Sequence, residues 1–200
     1  MEREKTVCFT GHRPEKICPA FSEEAPFIDA VKHQLQSRIL TAVDEGYTTF
    51  LCGMARGVDI WAGEIVAGLW ESFRNLELVA VLPFPEQTRG WSREWELRHR
   101  RLLRYCSQVI TVEDRYGKDS FLKRNRYLVE HSSRLIGVCR KEEGGTGYTI
   151  RYARSKGVSL DLIHLDALSR ADRAMIAPSI RAFSIGEASE GHHLSLCAQM

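Results

Sequence analysis

The chain has 200 residues, which suits one domain of ordinary size, and its 44% hydrophobic and 27% charged residues are typical of a globular protein with a sizeable core. The net charge of +2 does not mark a dedicated nucleic-acid binder, although it leaves room for a local basic patch. The sequence has no run of about 18 apolar residues and no apolar signal region, so we expect a cytoplasmic protein with no membrane partner.

Short apolar runs alternate with helical patterns along most of the chain. The predicted strands are Thr6–Phe9, Thr48–Cys52, Leu76–Leu82, Val109–Val112, Leu135–Cys139 and Leu160–Leu165. Helical periodicity lies between them, at residues 26–45, 59–73, 92–105, 121–133 and 146–156. Six strands that alternate with five helices predict an α/β fold, with a doubly wound, mainly parallel sheet covered by helices on both faces.

The alternating pattern fades near residue 166. Residues 169–182 fit one further helix, and residues 186–200 read as a loose tail. We therefore divide the chain into a domain at residues 1–166 and a C-terminal helix and tail at residues 167–200, which we expect to be partly mobile or accessory.

Cysteine and histidine spacing gives no sign of a metal site. None of the six cysteines forms a C-x-x-C pair, and the seven histidines show no ligand spacing. Cys8, Cys52 and Cys139 fall in apolar strand runs, where a free cysteine behaves as a small buried hydrophobe. We expect reduced thiols and no metal.

A glycine-containing turn follows the first predicted strand and includes Gly11, His12 and Arg13. Backbone N–H groups in such turns can bind anions, and the arginine fork suits phosphate or carboxylate. His12 can donate a hydrogen bond or act as an acid or base near neutral pH. The alternative is an ordinary turn whose arginine pairs with a nearby glutamate.

A second turn follows the second strand and opens a helix; its candidate ligand-binding residues are Gly53, Met54, Arg56, Gly57 and Asp59. The free N–H groups at a helix start attract anions. Asp59 has two equally weighted interpretations: it stabilises the helix start, or it accepts a hydrogen bond from a ribose hydroxyl or a base. The spacing differs from G-x-G-x-x-G, which argues against a conventional dinucleotide dehydrogenase.

The third turn follows the fifth strand and contains Gly144, Gly145, Thr146 and Gly147. Its small residues would let a phosphate approach the helix that follows, although an ordinary strand–helix loop has the same composition. Because the carboxyl ends of parallel strands share one edge of a sheet, we expect all three turns to converge on one crevice.

Two further polar features belong to helices. Asn125 lies on an otherwise apolar helical row, so it is either a capping group or points into the crevice. The stretch 98–101, with Arg104, is rich in arginine. Such a stretch is usually a solvated helix face, and the alternative is a site for an acidic partner or a nucleic-acid backbone.

The combined motifs resemble the SLOG superfamily, which includes DprA and the LOG (lysine-decarboxylase-like) phosphoribohydrolases, and within it the YpsA-like subfamily, DUF1273. The matching segments, in family order over residues 5–165, are T-G-H-R-P, G-M-A-R-G-V-D-I-W-A-G-E, L-P-F-P-E-Q…W, F-L-K-R-N-R-Y-L-V-E-H-S-S and G-G-T-G-Y-T-I. The resemblance implies a Rossmann-like three-layer sandwich that binds a nucleotide or nucleotide-derived ligand at the three turns and at Asn125. It also implies self-association, most simply as a dimer.

One departure from the LOG pattern bears on catalysis. The phosphoribohydrolases carry P-G-G-x-G-T-x-x-E, and their glutamate serves catalysis. In this chain Glu143 replaces the proline, Tyr148 the threonine and Arg151 the glutamate. The usual acid is missing.

Three functions follow from these residues. The leading hypothesis is a module that binds or senses a nucleotide-derived ligand, with no certain cofactor. The first alternative is an N-glycosidic hydrolase of nucleotides, whose acid–base candidates are His12, Asp59 and Glu64. The second is a DprA-like single-stranded DNA binder that uses the arginine-rich helix.

Overall fold

A computed structural model describes residues 1–18 and 25–168 of the chain. The predicted helix at 169–182 and tail at 186–200 lie outside the described residues. The strands are β1 (Thr6–Gly11), β2 (Thr49–Cys52), β3 (Glu77–Leu82), β4 (Gln108–Thr111), β5 (Arg134–Cys139) and β6 (Ser159–His164). The helices are α1 (Pro14–Ile17), α2 (Pro26–Asp44), α3 (Val58–Leu69), α4 (Arg93–Leu103), α5 (Ser120–Glu130) and α6 (Gly144–Ser155).

The six strands form one sheet in the order β4-β3-β2-β1-β5-β6, and every pairing between neighbours is parallel. The predicted Rossmann-like α/β fold is therefore confirmed. Strands β1 to β4 proceed toward one edge, whereas β5 and β6 lie on the other side of β1. The sheet thus has a topological switch point between β1 and β5, which is where open α/β sheets bind ligands.

The sheet separates two hydrophobic cores, because successive side chains of a strand point to opposite faces. Val7 and Phe9 of β1 face the core that contains α2, α3 and α4. Cys8, between them, faces the core that contains α5 and α6. Cys52 and Cys139 are also buried free thiols, as predicted.

Several sequence-based boundaries need correction. The structure adds α1, which is only four residues long and so is too short to show helical periodicity. Helix α3 ends at Leu69, four residues earlier than predicted. Trp70, which follows the helix, is 47% exposed, and the Arg74 guanidinium lies 4.1 Å from its ring centroid.

Strand β4 is an edge strand, and Val109 within it is 48% exposed. None of the helices in the described ranges is long and apolar enough to cross a membrane.

Candidate ligand-binding site

A cavity of about 170 Å³ lies at the switch point, at the carboxyl ends of β1 and β5. Its walls come from the three glycine-containing turns and from the first turns of α5. The lining residues are Phe9, Thr10, Gly11, His12, Arg13, Lys16, Ala55, Asp59, Phe121, Arg124, Asn125, Glu143, Gly145 and Thr146. The fold thus brings together segments as far apart in the sequence as Phe9 and Thr146.

The first turn is packed directly against the start of α3. A Cβ added to Gly11 would lie 2.4 Å from the Cβ of Val58, so a larger residue would push β1 away from the helix. His12 follows and is 8% exposed. Burial lowers the pKa of its imidazole, and the charges of Lys16 and Arg140 lower it further. The lowered pKa favours the neutral form of the ring.

Two cations of the first turn line the cavity. Arg13 is the residue that precedes α1, and Lys16 lies within that helix. Burial lowers the pKa of the Arg13 guanidinium, while the carboxylate of Asp59 favours its charge. Arg13 is still a permanent cation at neutral pH, since its ordinary pKa lies far above 7.

The second turn is fixed to the first. Met54 is fully buried with a φ of 57°, and Gly57 has a φ of 87°. A Cβ at Gly57 would lie 2.9 Å from Cδ of Pro14, so only glycine allows this approach. Arg56 pairs with Glu15 at 2.9 Å and is not among the residues that line the cavity.

Asp59 and Arg124 form a buried pair at the cavity wall. The Asp59 Oδ2 accepts a hydrogen bond from the Ala55 N–H at 3.3 Å and lies 3.5 Å from Nη1 of Arg124. The same Nη1 donates to the Gly53 carbonyl. Burial raises the pKa of the Asp59 carboxyl, and Arg124 acts in the opposite direction.

Gly53 makes this pair sterically possible. A Cβ there would lie 1.9 Å from Nη1 of Arg124 and 2.7 Å from Oδ2 of Asp59. Within the described part of the chain, Nε of Arg124 is buried without a hydrogen-bond partner. Sequence reasoning did not select Arg124 as a site residue. Asp59 requires a compensating cation because it is buried, and Arg124 is the cation beside it.

The third turn contrasts with the second because it is open on one side. A Cβ added to Gly145 would have no atom within 4 Å, whereas one added to Gly147 would lie 2.1 Å from the backbone of Glu142. Gly144 has a φ of 59°. The Glu143 side chain makes no capping hydrogen bond to α6, so the first N–H groups of that helix have no side-chain cap.

Asn125 links α5 to the third turn. Its Nδ2 donates to Oγ1 of Thr149 at 2.9 Å, and this hydroxyl donates to the Gly145 carbonyl at 2.8 Å. Asn125 therefore lines the cavity, and its amide also supports the third turn through Thr149.

The acid–base candidates separate in space. His12 and Asp59 line the cavity, whereas Glu64 does not and instead pairs with Arg98, whose Nε donates to Oε1 at 2.8 Å. Arg151, at the position of the LOG glutamate, donates from Nη1 to the Glu142 carbonyl at 2.7 Å. Its side chain thus supports the loop before α6.

Seven of the predicted ligand-binding residues line the cavity: Gly11, His12, Arg13, Asp59, Asn125, Gly145 and Thr146. The others shape the turns behind it: Gly53, Met54, Arg56, Gly57, Gly144 and Gly147. Sequence reasoning did not select Lys16, Phe121 or Glu143, whose positions on the cavity wall depend on how α1, α5 and the third turn fold.

The arginine-rich stretch does not form one uniform basic face. His99 is buried, and Arg98 is partly buried against Glu64 and over the Trp95 ring. Arg100, Arg101 and Arg104 are exposed. None of these residues lines the cavity.

Comparison with known families agrees with this geometry. A family model named YpsA, described as the YspA SLOG family, matches residues 7–168. The chain belongs to this family. The relation predicted from the motifs is thereby confirmed, and the match spans all six strands of the sheet.

Curated relatives in the YspA SLOG family are distant. The UPF0398 protein of Bacillus cereus strain B4264 is 26% identical over 156 residues, which cover 76% of this chain and 84% of the relative. The UPF0398 protein of Bacillus thuringiensis strain Al Hakam is 25% identical over 156 residues, with the same coverage of both chains.

Two solved structures are similar to this chain. DNA processing protein A (DprA) of Helicobacter pylori matches with a TM-score of 0.52 and 18% identity over 89% of this chain and 77% of that one. The Streptococcus pneumoniae DprA matches with a TM-score of 0.47 and 17% identity over 87% of this chain. The present chain spans 56% of that protein's length.

Proposed function

We propose that the switch-point cavity binds a nucleotide-derived ligand through its phosphate and ribose, and that this YspA SLOG family member acts as a sensor or regulator. The observation that carries the proposal is one cavity that collects an uncapped helix start, a buried carboxyl group and two cations in addition to Arg124, which is already paired with that carboxyl group. Arg13 and Lys16 supply the cations, and Asp59 supplies the carboxyl.

The anionic end of the ligand fits between the first and third turns. The N-terminal turn of α6 presents backbone N–H groups and a partial positive charge, both of which attract phosphate. The open space beside Gly145 allows a phosphate to approach the backbone. Glu143 also lines this region, so Arg13 and Lys16 must offset one negative charge as well as bind the ligand.

The hydroxyl end of the ligand fits at Asp59. Both contacts of this carboxyl group with Ala55 and Arg124 use Oδ2. We assign Oδ1 to a ribose hydroxyl, which is a donor of the type that carboxylates bind in many nucleotide sites. This assignment combines the two interpretations of Asp59, because one oxygen supports the turn and the other binds the ligand.

Binding is favoured over hydrolysis by the side chains at the third turn. Arg151 occupies the position of the catalytic LOG glutamate. Its guanidinium donates a hydrogen bond to the Glu142 carbonyl. The remaining cavity candidates are His12 and Asp59. If the protein were a hydrolase, AMP would release its base, and the release would be lost in Asp59→Asn.

Single-stranded DNA is the second candidate ligand. The DprA structure of Helicobacter pylori concerns single-stranded DNA binding, and that protein shares the fold. Two exposed arginines favour the candidate, namely Arg100 of α4 and Arg104, which follows that helix. Titration of a labelled strand at two salt concentrations tests it, since phosphate contacts weaken as salt rises.

A thermal-shift screen followed by calorimetry tests the main proposal. We expect at least one of AMP, ADP-ribose, NAD and a cyclic nucleotide to raise the unfolding temperature at millimolar concentration. Arg13→Ala should weaken the binding of that compound by about 1.5–3 kcal/mol, the scale of a charged hydrogen bond. No stabilisation by any of the four would contradict the proposal.

Arg56→Ala is the matched control for Arg13→Ala. Both changes remove one positive charge from adjacent turns, but Arg56 pairs with Glu15 outside the cavity lining. We expect Arg56→Ala to change affinity less than Arg13→Ala does. Equal losses would show that overall charge, and not direct contact, determines binding.

A further inference from the structure

An aromatic ledge, formed by Phe84, Tyr116 and Phe121, extends from the cavity to the protein surface. Phe84 contacts both other rings edge to face, with centroid distances of 5.3 Å to Tyr116 and 5.5 Å to Phe121. The interplanar angles are 81° and 76°. Such contacts orient the two outer rings relative to Phe84, which is itself buried.

The two outer rings of the ledge differ in exposure. Phe121 lines the cavity on the same helix as Arg124 and Asn125. Tyr116 is 67% exposed, more than any other large hydrophobic side chain in the described residues. The ledge therefore continues the polar cavity outward as an accessible aromatic surface.

The loop that carries Tyr116 is held on both sides. The N–H of Gly117 donates to Oγ of the buried Ser120 at 2.7 Å. Three residues before Tyr116, the Glu113 carboxylate accepts a hydrogen bond from Lys123 of α5. These contacts fix the loop to α5, so the Tyr116 ring is positioned before any ligand binds.

The size of the cavity indicates what the ledge contacts. About 170 Å³ is less than the ~300–1,000 Å³ of sites that enclose drug-sized ligands. A nucleotide whose phosphate and ribose occupy this space must place its base outside it. The neighbouring ledge offers aromatic rings, on which planar bases stack with little sequence preference.

We propose that the ledge binds the base of a free nucleotide whose phosphate and ribose lie in the cavity, with Phe121 and Tyr116 as the stacking residues. This inference rests on the proposed function, since it requires the cavity to hold the phosphate and ribose.

Calorimetry with AMP and ribose 5-phosphate tests the ledge, because the two compounds differ only in the base. The full chain should bind AMP about tenfold or more tightly than ribose 5-phosphate. Tyr116→Ala and Phe121→Leu should each remove much of this difference. Tyr116→Ala should also leave the affinity for ribose 5-phosphate unchanged, because Tyr116 is not among the residues that line the cavity. Tyr116→Phe is the control, since it keeps the ring and should behave as the original chain does.

The outcomes separate the ledge from the cavity. Equal binding of AMP and ribose 5-phosphate, or undiminished AMP binding in both Tyr116→Ala and Phe121→Leu, overturns the ledge and leaves the proposed function standing. Binding of neither compound overturns both. Tighter, Tyr116-dependent binding of a short single-stranded oligonucleotide than of AMP would assign the ledge to a strand and overturn the free-nucleotide proposal. Because Tyr116 is exposed, its variants should fold even if Phe121→Leu does not.

Discussion

The second and third turns look alike in the sequence, yet they have different structural roles. Around the second turn, Gly53 and Met54 are buried, and the space a Cβ would fill at Gly53 is taken by Arg124 and Asp59. Around the third, a Cβ at Gly145 would meet nothing within 4 Å. The difference shows that a strand–glycine–helix pattern specifies where a turn lies, whereas its packing decides whether it supports the site or receives a ligand.

The strongest way to disturb the second turn is to remove its buried cation. Arg124→Met should lower the free energy of unfolding by about 3–5 kcal/mol, because Asp59 would then be buried without its nearest countercharge. Urea denaturation measures the change. Arg126→Met is the control, since Arg126 lies two residues away on α5 and is exposed, and it should cost less than about 1 kcal/mol.

The pH dependence of Arg124→Met sharpens this prediction. Burial already raises the pKa of the Asp59 carboxyl, and removal of Arg124 should raise it further. When the pKa of a carboxyl group is higher in the folded than in the unfolded state, the protein loses stability as pH rises from the unfolded pKa through the folded pKa. The difference in the free energy of unfolding between the original chain and Arg124→Met should therefore grow from acidic toward neutral pH. A deficit independent of pH would mean that lost packing, and not the uncompensated charge, causes the destabilisation.

A pair of glycine substitutions compares the two turns directly. Gly53→Ala should cost about 2–3 kcal/mol of stability, because its Cβ would overlap Nη1 of Arg124. Gly145→Ala should leave stability within about 0.5 kcal/mol, since its Cβ would meet open space. The second change should instead weaken AMP binding, measured by calorimetry, because the methyl group occupies the approach to the helix start. Equal stability losses would contradict the contrast between the turns.

Much of the fold was predictable from the sequence because the apolar runs of β1, β2, β3 and β5 are nearly continuous, as buried parallel strands require. The convergence of the turns followed from strand direction alone. The partners of individual side chains could not be predicted from the sequence, because they depend on the packing of distant elements. Arg56 and Arg13 looked equivalent in the sequence, yet only Arg13 lines the cavity, because α1 brings Glu15 to Arg56.

The same limit applies to Gln87, the last residue of the L-P-F-P-E-Q segment at the end of β3, because only the folded chain shows its partners. Nε2 of Gln87 donates to the Met54 carbonyl at 3.1 Å and lies 2.9 Å from Nε2 of His99. The Met54 carbonyl requires a donor, which fixes the orientation of the Gln87 amide. An amide NH₂ group can only donate, so Nε2 of His99 accepts, and the imidazole is neutral with its proton on Nδ1.

The smallest predicted effect tests this support of the second turn. Burial lowers the pKa of His99 from its usual 6.5 to about 4, so the unfolded chain binds more protons between these values and stability falls as pH falls. His99→Gln keeps an acceptor that cannot titrate. Between about pH 7 and about pH 5, the original chain should lose about 1–2 kcal/mol more stability than His99→Gln in urea denaturation. Parallel losses in both proteins would mean that His99 is not held neutral, and Gln87 would then need another acceptor to stay oriented toward Met54.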